Sequence, residues 1–239
     1  MKKTFIISKL GRRITICLHL TAMAAMTYPS ALAQQTEAVQ PFELSKQWIL
    51  VYANDFTETN IPADWVVTMG TARIAEGNLY LQADIEYAEI VLLKPKLESP
   101  SVRVIFDAFI SGGVAISDLS AFLNSNYSIL AKNKGCEGAY LFQFGANNNT
   151  VNRLRRLGKI IPETERKDIL LEPFRIYKIE IVNDFGQIKM SIDGAAIFEW
   201  QDAQPLWGAE HCHIGFYTWK SEIAIDNILV YQRSVQSKK

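Results

Sequence analysis

The chain has 239 residues, of which 49% are hydrophobic and 21% are charged. This mixture is typical of a globular domain and excludes a disordered or fibrous protein. Basic and acidic residues number 25 each, but residues 1–33 hold five of the basic residues and none of the acidic ones, so the remainder has a formal net charge of −5. Because an acidic chain repels polyanions, no nucleic acid partner and no anionic membrane surface is expected.

The first 33 residues have the order of an export signal. A basic stretch ends at Arg13, residues 14–26 are apolar, and Ala31-Leu32-Ala33 has the small residues of a cleavage site. The apolar segment is too short to span a bilayer. The sequence therefore predicts a signal peptide at 1–33 and a periplasmic or secreted protein with no membrane partner after cleavage. One arginine pair leaves open whether the general or the twin-arginine export route is used.

Alternation of apolar and polar residues with a period of two runs through most of the remaining chain, which indicates β-strands. The clearest signal is a meander of three short strands with tight turns at 183–187 and Asp193-Gly194. A hairpin is predicted around Glu76-Gly77. Two short segments, 119–123 and 153–157, are instead predicted as helical turns. The predicted strands are 73–75, 78–82, 89–93, 102–110, 140–145, 177–182, 188–192, 195–200, 213–219 and 223–231.

Many short strands without alternating helices predict an all-β fold, an antiparallel two-sheet jelly-roll sandwich. We expect the sandwich at 47–233, after a linker at 34–46 and before a polar tail at 234–239. Cys136 and Cys212 would either pair in an oxidising compartment or be buried separately as thiols, and sequence alone leaves both open. Exposed edge strands are compatible with a monomer or a weak oligomer.

The densest polar stretch of the sequence lies between positions 140 and 156. A strand runs into an asparagine-rich loop, which three arginines follow within four positions. Amide and guanidinium groups suit sugar hydroxyls and uronate carboxylates. Alternatively, the asparagines satisfy turn backbones and the arginines form solvated ion pairs. The candidate residues of this stretch are Tyr140, Gln143, Asn147, Asn149, Arg153, Arg155 and Arg156.

Five further candidates lie outside that stretch, namely Asp118, His213, Tyr217, Trp219 and Lys220. His213 shares a strand face with His211, which fits a metal site, a hydrogen-bonded pair or a catalytic histidine. Trp219, with Lys220 beside it, either stacks on a sugar ring or packs in the core. Asp118 is an acid, a calcium ligand or a helix cap. No metal site and no cofactor is predicted, although Asp118 is compatible with calcium.

Several well-known catalytic motifs are absent from the sequence. It contains no nucleophile elbow, no glycine-rich loop that opens a helix, and no CxxC or HExxH motif. The carboxylate spacings Glu86/Glu89 and Glu222/Asp226 do not match the E-x-D-x-x-E pattern that retaining glycosidases with a sandwich fold often carry. A glycosidase of that type is therefore disfavoured.

A set of motifs in chain order resembles a known family. These motifs are Ser117-Asp118-Leu119, Gly145-Ala146-Asn147-Asn148-Asn149-Thr150, Arg153-Leu154-Arg155-Arg156, Ile192-Asp193-Gly194, Gly215-Phe216-Tyr217-Thr218-Trp219 and Ile225-Asp226-Asn227. Over about residues 48–232 the chain resembles an uncharacterised family of secreted bacterial concanavalin A-like β-sandwich proteins. That family is associated with polysaccharide degradation and is distantly similar to 3-keto-glycoside hydrolase-like domains. The resemblance implies that a polysaccharide or oligosaccharide is the partner.

Three functions follow as hypotheses. The first is a glycan-cleaving enzyme. As a β-eliminating lyase it would neutralise a uronate with an arginine, assisted by Gln143 or Asn147, and use Tyr140, Tyr217 or His213 as the base. As a hydrolase it would use Asp118 or Glu222 as the acid. The second hypothesis is a lectin-like binding module in which Trp219 and the asparagine loop hold the glycan, and the third is a structural envelope protein.

Overall fold

Alternating burial along the strands shows why this sequence folds into sheets. The structure, a computed structural model, describes residues 42–131 and 134–237. In Tyr177–Asp184 every second residue is buried, because successive side chains of a strand point to opposite faces. The predicted signal peptide and most of the predicted linker lie outside the described residues.

The described residues form fifteen strands and two short turns of helix. The turns are Cys136–Gly138 and Ala146–Asn149. The strands are β1 (Phe42–Asn54), β2 (Trp65–Met69), β3 (Thr71–Ala75), β4 (Asn78–Gln82), β5 (Tyr87–Leu92), β6 (Ser101–Gly113), β7 (Leu119–Ser125), β8 (Tyr140–Gly145), β9 (Val151–Arg156), β10 (Lys159–Arg166), β11 (Tyr177–Asp184), β12 (Gln187–Ile192), β13 (Ala195–Gln201), β14 (His213–Trp219) and β15 (Ser221–Ser237).

The strands form two antiparallel sheets. Sheet A has the order β13-β12-β11-β6-β15-β4-β3, and β1 also pairs with β15. Sheet B has the order β10-β9-β8-β7-β14-β5-β2. The predicted fold class, an antiparallel two-sheet jelly-roll sandwich, is confirmed.

The main core lies between the two sheets. Phe106 of β6 meets Phe216 of β14 edge to face, with ring centroids 5.0 Å apart, and both rings are buried. Phe144 of β8 and Tyr177 of β11 make a second contact of this kind at 5.0 Å. Burying each such side chain contributes about 1.5–3 kcal/mol. The residues of sheet B that point away from this core form a separate face, which we call the outer face of sheet B.

The two predicted helical turns are wrong, because both segments are strands of sheet B. β7 covers 119–123 and pairs with β8 on one side and β14 on the other. β9 covers most of 153–157 and pairs with β8 and β10. Ladder hydrogen bonds from two neighbours outweigh a weak local helix pattern. Strands β2 and β10 were not predicted from the sequence.

Both ends of the described sandwich extend beyond the predicted limits. β1 begins at Phe42, inside the segment predicted as a linker, and Phe42 pairs with Ser237 of β15, inside the predicted tail. The last two tail residues lie outside the described part.

Cys136 and Cys212 are both buried free thiols, so they are buried separately rather than paired.

Among the described residues, no helix is long and apolar enough to cross a membrane.

Candidate functional site

A line of polar residues crosses the outer face of sheet B from strand to strand. Each member lies directly opposite its neighbour on the next strand, at a spacing that brings side chains within about 5 Å. We call this line the polar row. Its members in strand order are Arg153 (β9), Gln143 (β8), Ser120 (β7), Tyr217 (β14) and Glu89 (β5).

Asp118 joins the polar row just before β7 begins. Its φ of 52° is left-handed, a conformation that aspartate tolerates. Gln143 Nε2 donates to Asp118 Oδ1 at 2.7 Å, while Arg153 Nε donates to Gln143 Oε1 at 2.9 Å. Asp118 is only 4% exposed, and burial raises the pKa of its carboxyl although the hydrogen bonds from Gln143 and Ser117 oppose the rise. Asp118 therefore holds its proton to a higher pH than an ordinary aspartate.

Tyr217 lies at the side of a small cleft on this face. Its ring stacks on Tyr87 at 6.1 Å between centroids, and the Lys134 ammonium lies 4.4 Å from the centre of the Tyr87 ring. The cleft has a volume of about 50 Å³ and is also lined by Cys136, Glu137 and Arg155. Burial, followed by the charge of Asp118, raises the pKa of the Tyr217 hydroxyl. At neutral pH this hydroxyl is a hydrogen-bond donor rather than a base.

Glu89 anchors the loop that supplies Lys134 to the cleft. Its Oε1 accepts the Gly135 amide at 2.8 Å, and its Oε2 accepts the Cys136 amide at 2.9 Å. Thr68 Oγ1 donates to Oε1 as well, at 2.8 Å. The carboxylate is buried and committed to these donors, so it is a positioning group rather than a free acid.

Trp219 ends β14 on the same face and lies opposite Tyr87 of β5. The indole is half-buried, and the Lys220 ammonium lies 4.4 Å from its ring centre. Trp219 therefore belongs to the outer face and not to the core between the sheets.

The asparagine run forms a turn of left-handed helix between β8 and β9. Asn147, Asn148 and Asn149 have φ values of 57°, 56° and 59°, a conformation that asparagine adopts more readily than most residues. Asn149 Nδ2 donates to Leu171 O at 2.9 Å, and its Oδ1 accepts the Leu171 amide at 2.7 Å. The Asn149 side chain therefore satisfies backbone groups, which is one of the two interpretations that the sequence allows for this loop. Asn147 is exposed at the tip of the turn.

Two predicted site residues point to the inner side of sheet B, and their assignment is corrected. Tyr140 is 0% exposed, and its hydroxyl donates to Asp202 Oδ2 at 2.5 Å while it accepts the Leu206 amide at 2.9 Å. Arg156 Nε forms an ion pair with the same carboxylate oxygen at 2.5 Å. A buried, hydrogen-bonded tyrosine cannot contact a surface ligand.

His213 lies on the outer face but at the opposite end of β14 from Trp219. It lies four positions from Tyr217, which is about 13 Å along a strand. Its Nδ1 lies 3.2 Å from Leu92 O, and burial lowers the pKa of the imidazole. His211 precedes β14 and contacts Asn124 O. In the part of the chain that the structure describes, no group of three ligating side chains could hold a metal.

Glu222, the alternative hydrolase acid, lies on sheet A instead. Arg73 and Ser111 donate to its carboxylate at 2.6 and 2.8 Å, and the hydrogen bond from Arg73 lowers its pKa. It is therefore an ionised, paired group on the other sheet, and its assignment is corrected.

A larger cavity of about 470 Å³ lies on sheet A along β11, β12 and β13. Its charged groups are already paired: Lys189 with Glu199 at 3.1 Å, and Asp184 with Arg233 at 3.0 Å. Because these charges are compensated within the protein, we place the candidate site on sheet B despite the smaller cleft there.

The structure thus brings six predicted residues together and adds four. Those brought together are Asp118, Gln143, Arg153, Arg155, Tyr217 and Trp219. Sequence reasoning missed Ser120, Tyr87, Glu89 and Lys134. The strand alternation of β5 places Tyr87 and Glu89 on one face, but only the strand order shows that this face is the one with Tyr217.

Several solved structures share this two-sheet jelly-roll architecture. A protein of unknown function with a galectin-like fold from Bacillus subtilis superimposes with a TM-score of 0.60 and 16% identity over 81% of this chain and 99% of its own. The carbohydrate binding module CBM66 from Bacillus subtilis gives 0.56 and 12% over 72% and 96%. The catalytic domain of an endo-1,3-beta-glucanase (laminarinase) from Thermotoga petrophila RKU-1 gives 0.55 and 12% over 78% and 98%.

At the level of sequence, residues 118–228 match the model of a family described as a domain of unknown function, DUF6250. The match begins at Asp118 and includes every member of the polar row except Glu89. No curated protein matches the chain.

Proposed function

We propose that this protein is exported and binds an oligosaccharide or polysaccharide across the outer face of sheet B. The polar row is the observation that carries this proposal. Its guanidinium, amide and hydroxyl groups are the donors and acceptors that sugar hydroxyls require. Trp219, half-buried at the end of β14, offers a flat apolar surface for the C–H face of a pyranose. The solved relatives named for carbohydrate binding and glucan cleavage support the same ligand class.

A groove next to the site gives room for a longer chain. It has a volume of about 410 Å³ and is lined by 112–116 together with Pro173 and Phe174. The amides of Val114 and Ala115 donate to Lys220 O, which ties this loop to the Trp219 end of the outer face. A glycan of several residues is therefore a better fit than a monosaccharide.

Cleavage of the bound glycan is the second candidate function. Asp118 and Tyr217 both have raised pKa values and share the outer face, and perturbed groups of this kind cluster at active sites. Two-carboxylate hydrolysis is disfavoured, because Glu89, the other buried carboxylate of this face, is committed to backbone amides. Uronate β-elimination would instead use Arg153 or Arg155 to neutralise the carboxylate, the Asp118 carboxylate to take the adjacent carbon-bound proton, and the Tyr217 hydroxyl to protonate the leaving glycosidic oxygen.

A polysaccharide panel tests both candidates. Neutral and acidic polymers are immobilised, and the wild type is compared with Trp219→Ala and with Trp200→Ala, which changes a half-buried tryptophan of sheet A. We expect Trp219→Ala to weaken retention at least tenfold and Trp200→Ala to have no effect. Products with unsaturated ends would indicate a lyase, new reducing ends alone a hydrolase, and retention without products a binding module. Retention on no polymer would contradict the proposal and favour an envelope structural role.

A further inference from the structure

Arg155 is a half-buried cation in the cleft with no anionic partner among the described residues. Its Nε and Nη2 both donate to the carbonyl oxygen of Gly158, at 3.1 and 2.5 Å. The three other cations near it are compensated. Arg153 faces Glu165 at 3.8 Å, Arg156 pairs with Asp202 at 2.5 Å, and Lys134 pairs with Glu137 at 3.3 Å.

A charge removed from water normally has a counter-ion in the protein. The one carboxylate that lines the cleft, Glu137, is paired with Lys134, and its side chain is 60% exposed. Because a guanidinium has five N–H donors and Gly158 receives two of them, three are left for a ligand. The Tyr217 hydroxyl, which burial keeps protonated, is a further donor at the same cleft.

The size of the cleft limits what can enter it. Its volume is about 50 Å³, against about 470 Å³ for the cavity on sheet A. A sugar ring is far too large, but a single substituent of a ring is not. Trp219 lies opposite Tyr87, which lines the cleft, so a ring could stack on the Trp219 indole while its substituent points inward.

We infer that the cleft is a subsite for an anionic substituent of the glycan, bound by Arg155 with help from Tyr217. The substituent is a uronate carboxylate or a sulfate ester, since both are compact anions that accept several hydrogen bonds. This inference rests on the proposed function and specifies its substrate class as acidic glycans.

Matched pairs of polymers test the subsite. Polygalacturonate and alginate are compared with their carboxyl-reduced forms, and carrageenan with its desulfated form, by calorimetric or affinity-gel titration. The wild type should bind at least one acidic polymer tenfold or more tightly than its neutral counterpart. Arg155→Gln should remove that preference, so that its affinity for the acidic polymer falls to that for the neutral counterpart. Arg155→Lys keeps the charge but loses the planar fork, so an intermediate affinity is expected.

Arg73→Gln is the matched control, because it removes the same charge from the exposed Arg73–Glu222 pair on sheet A. Equal losses in Arg73→Gln and Arg155→Gln would show a general charge effect and overturn the subsite. Equal wild-type affinity for both members of every pair would also overturn it, while glycan binding itself would stand. Binding to no polymer, acidic or neutral, would contradict the proposed function. Unchanged thermal unfolding midpoints confirm that each variant is folded.

Discussion

The two sides of sheet B carry the same residue types in different states of pairing. On the inner side Tyr140 lies opposite Arg156 in the ladder between β8 and β9. On the outer face Tyr217 and Arg155 line the same cleft. Arg155 and Arg156 are neighbours in the chain, and strand alternation sends them to opposite sides.

The difference between the two pairs is a carboxylate. Asp202 accepts from both Tyr140 and Arg156 on the inner side, so each polar group there is satisfied within the protein. No carboxylate of the described residues pairs with Arg155. A tyrosine–arginine pair whose anion comes from the protein itself therefore has a structural role. A pair without such an anion is a candidate for binding a ligand.

The largest effect on stability should come from breaking the inner cluster. Asp202→Ala removes the acceptor shared by Tyr140 and Arg156, which leaves the buried Tyr140 hydroxyl without an acceptor and Arg156 with only the carbonyl of Gln204. We expect a loss of about 3 kcal/mol in the free energy of unfolding, measured by urea denaturation. Arg155→Ala, the matched change on the outer face, should cost less than about 1 kcal/mol. Similar losses in the two variants would remove the distinction between the sides.

Glu89→Gln should cause the next largest loss of stability. This variant tests whether the outer face of sheet B depends on the loop that Glu89 anchors. The amide keeps the shape of the side chain but replaces one acceptor oxygen with a donor that faces the amide of Gly135 or Cys136. We expect a loss of about 2 kcal/mol, with faster hydrogen exchange at these two amides. Exchange at the wild-type rate would show that the loop is held by other contacts.

Asp118 should make a smaller contribution to the free energy of unfolding, and this contribution depends on pH. Burial raises the pKa of its carboxyl in the folded state, so above about pH 4 the folded protein holds a proton that the unfolded chain has lost. Stability due to this group therefore falls as pH rises from its ordinary pKa to the raised one. In Asp118→Asn this slope should disappear, as measured by denaturation at several pH values. Parallel curves for wild type and variant would contradict the raised pKa.

Strand alternation made part of this arrangement predictable. It placed Tyr140 and Gln143 on opposite faces of β8, and the structure confirms that separation. It did not show which face lies against sheet A, because both faces of β8 are buried. The sequence pattern therefore predicts Tyr140 as a site residue, whereas its actual partner, Asp202, lies 62 positions along the chain.

The polar row was beyond sequence reasoning for a related reason. It depends on the register of five strands that are distant in sequence, and register is set by sheet-wide packing rather than by local pattern. For two of those strands, β7 and β9, the local sequence pattern predicts helical turns instead. The run of asparagines suggests a binding loop in the sequence. In the structure, however, these residues form a left-handed turn, which by itself favours asparagine.

The most direct test is a nuclear magnetic resonance titration with an acidic oligosaccharide, such as an oligogalacturonate, that follows the indole N–H signals. The account predicts that the Trp219 signal shifts in a saturable way, whereas those of Trp48 and Trp200 on sheet A do not move. Shifts confined to Trp48 or Trp200 would contradict it, and so would the absence of any shift with a panel of acidic and neutral oligosaccharides.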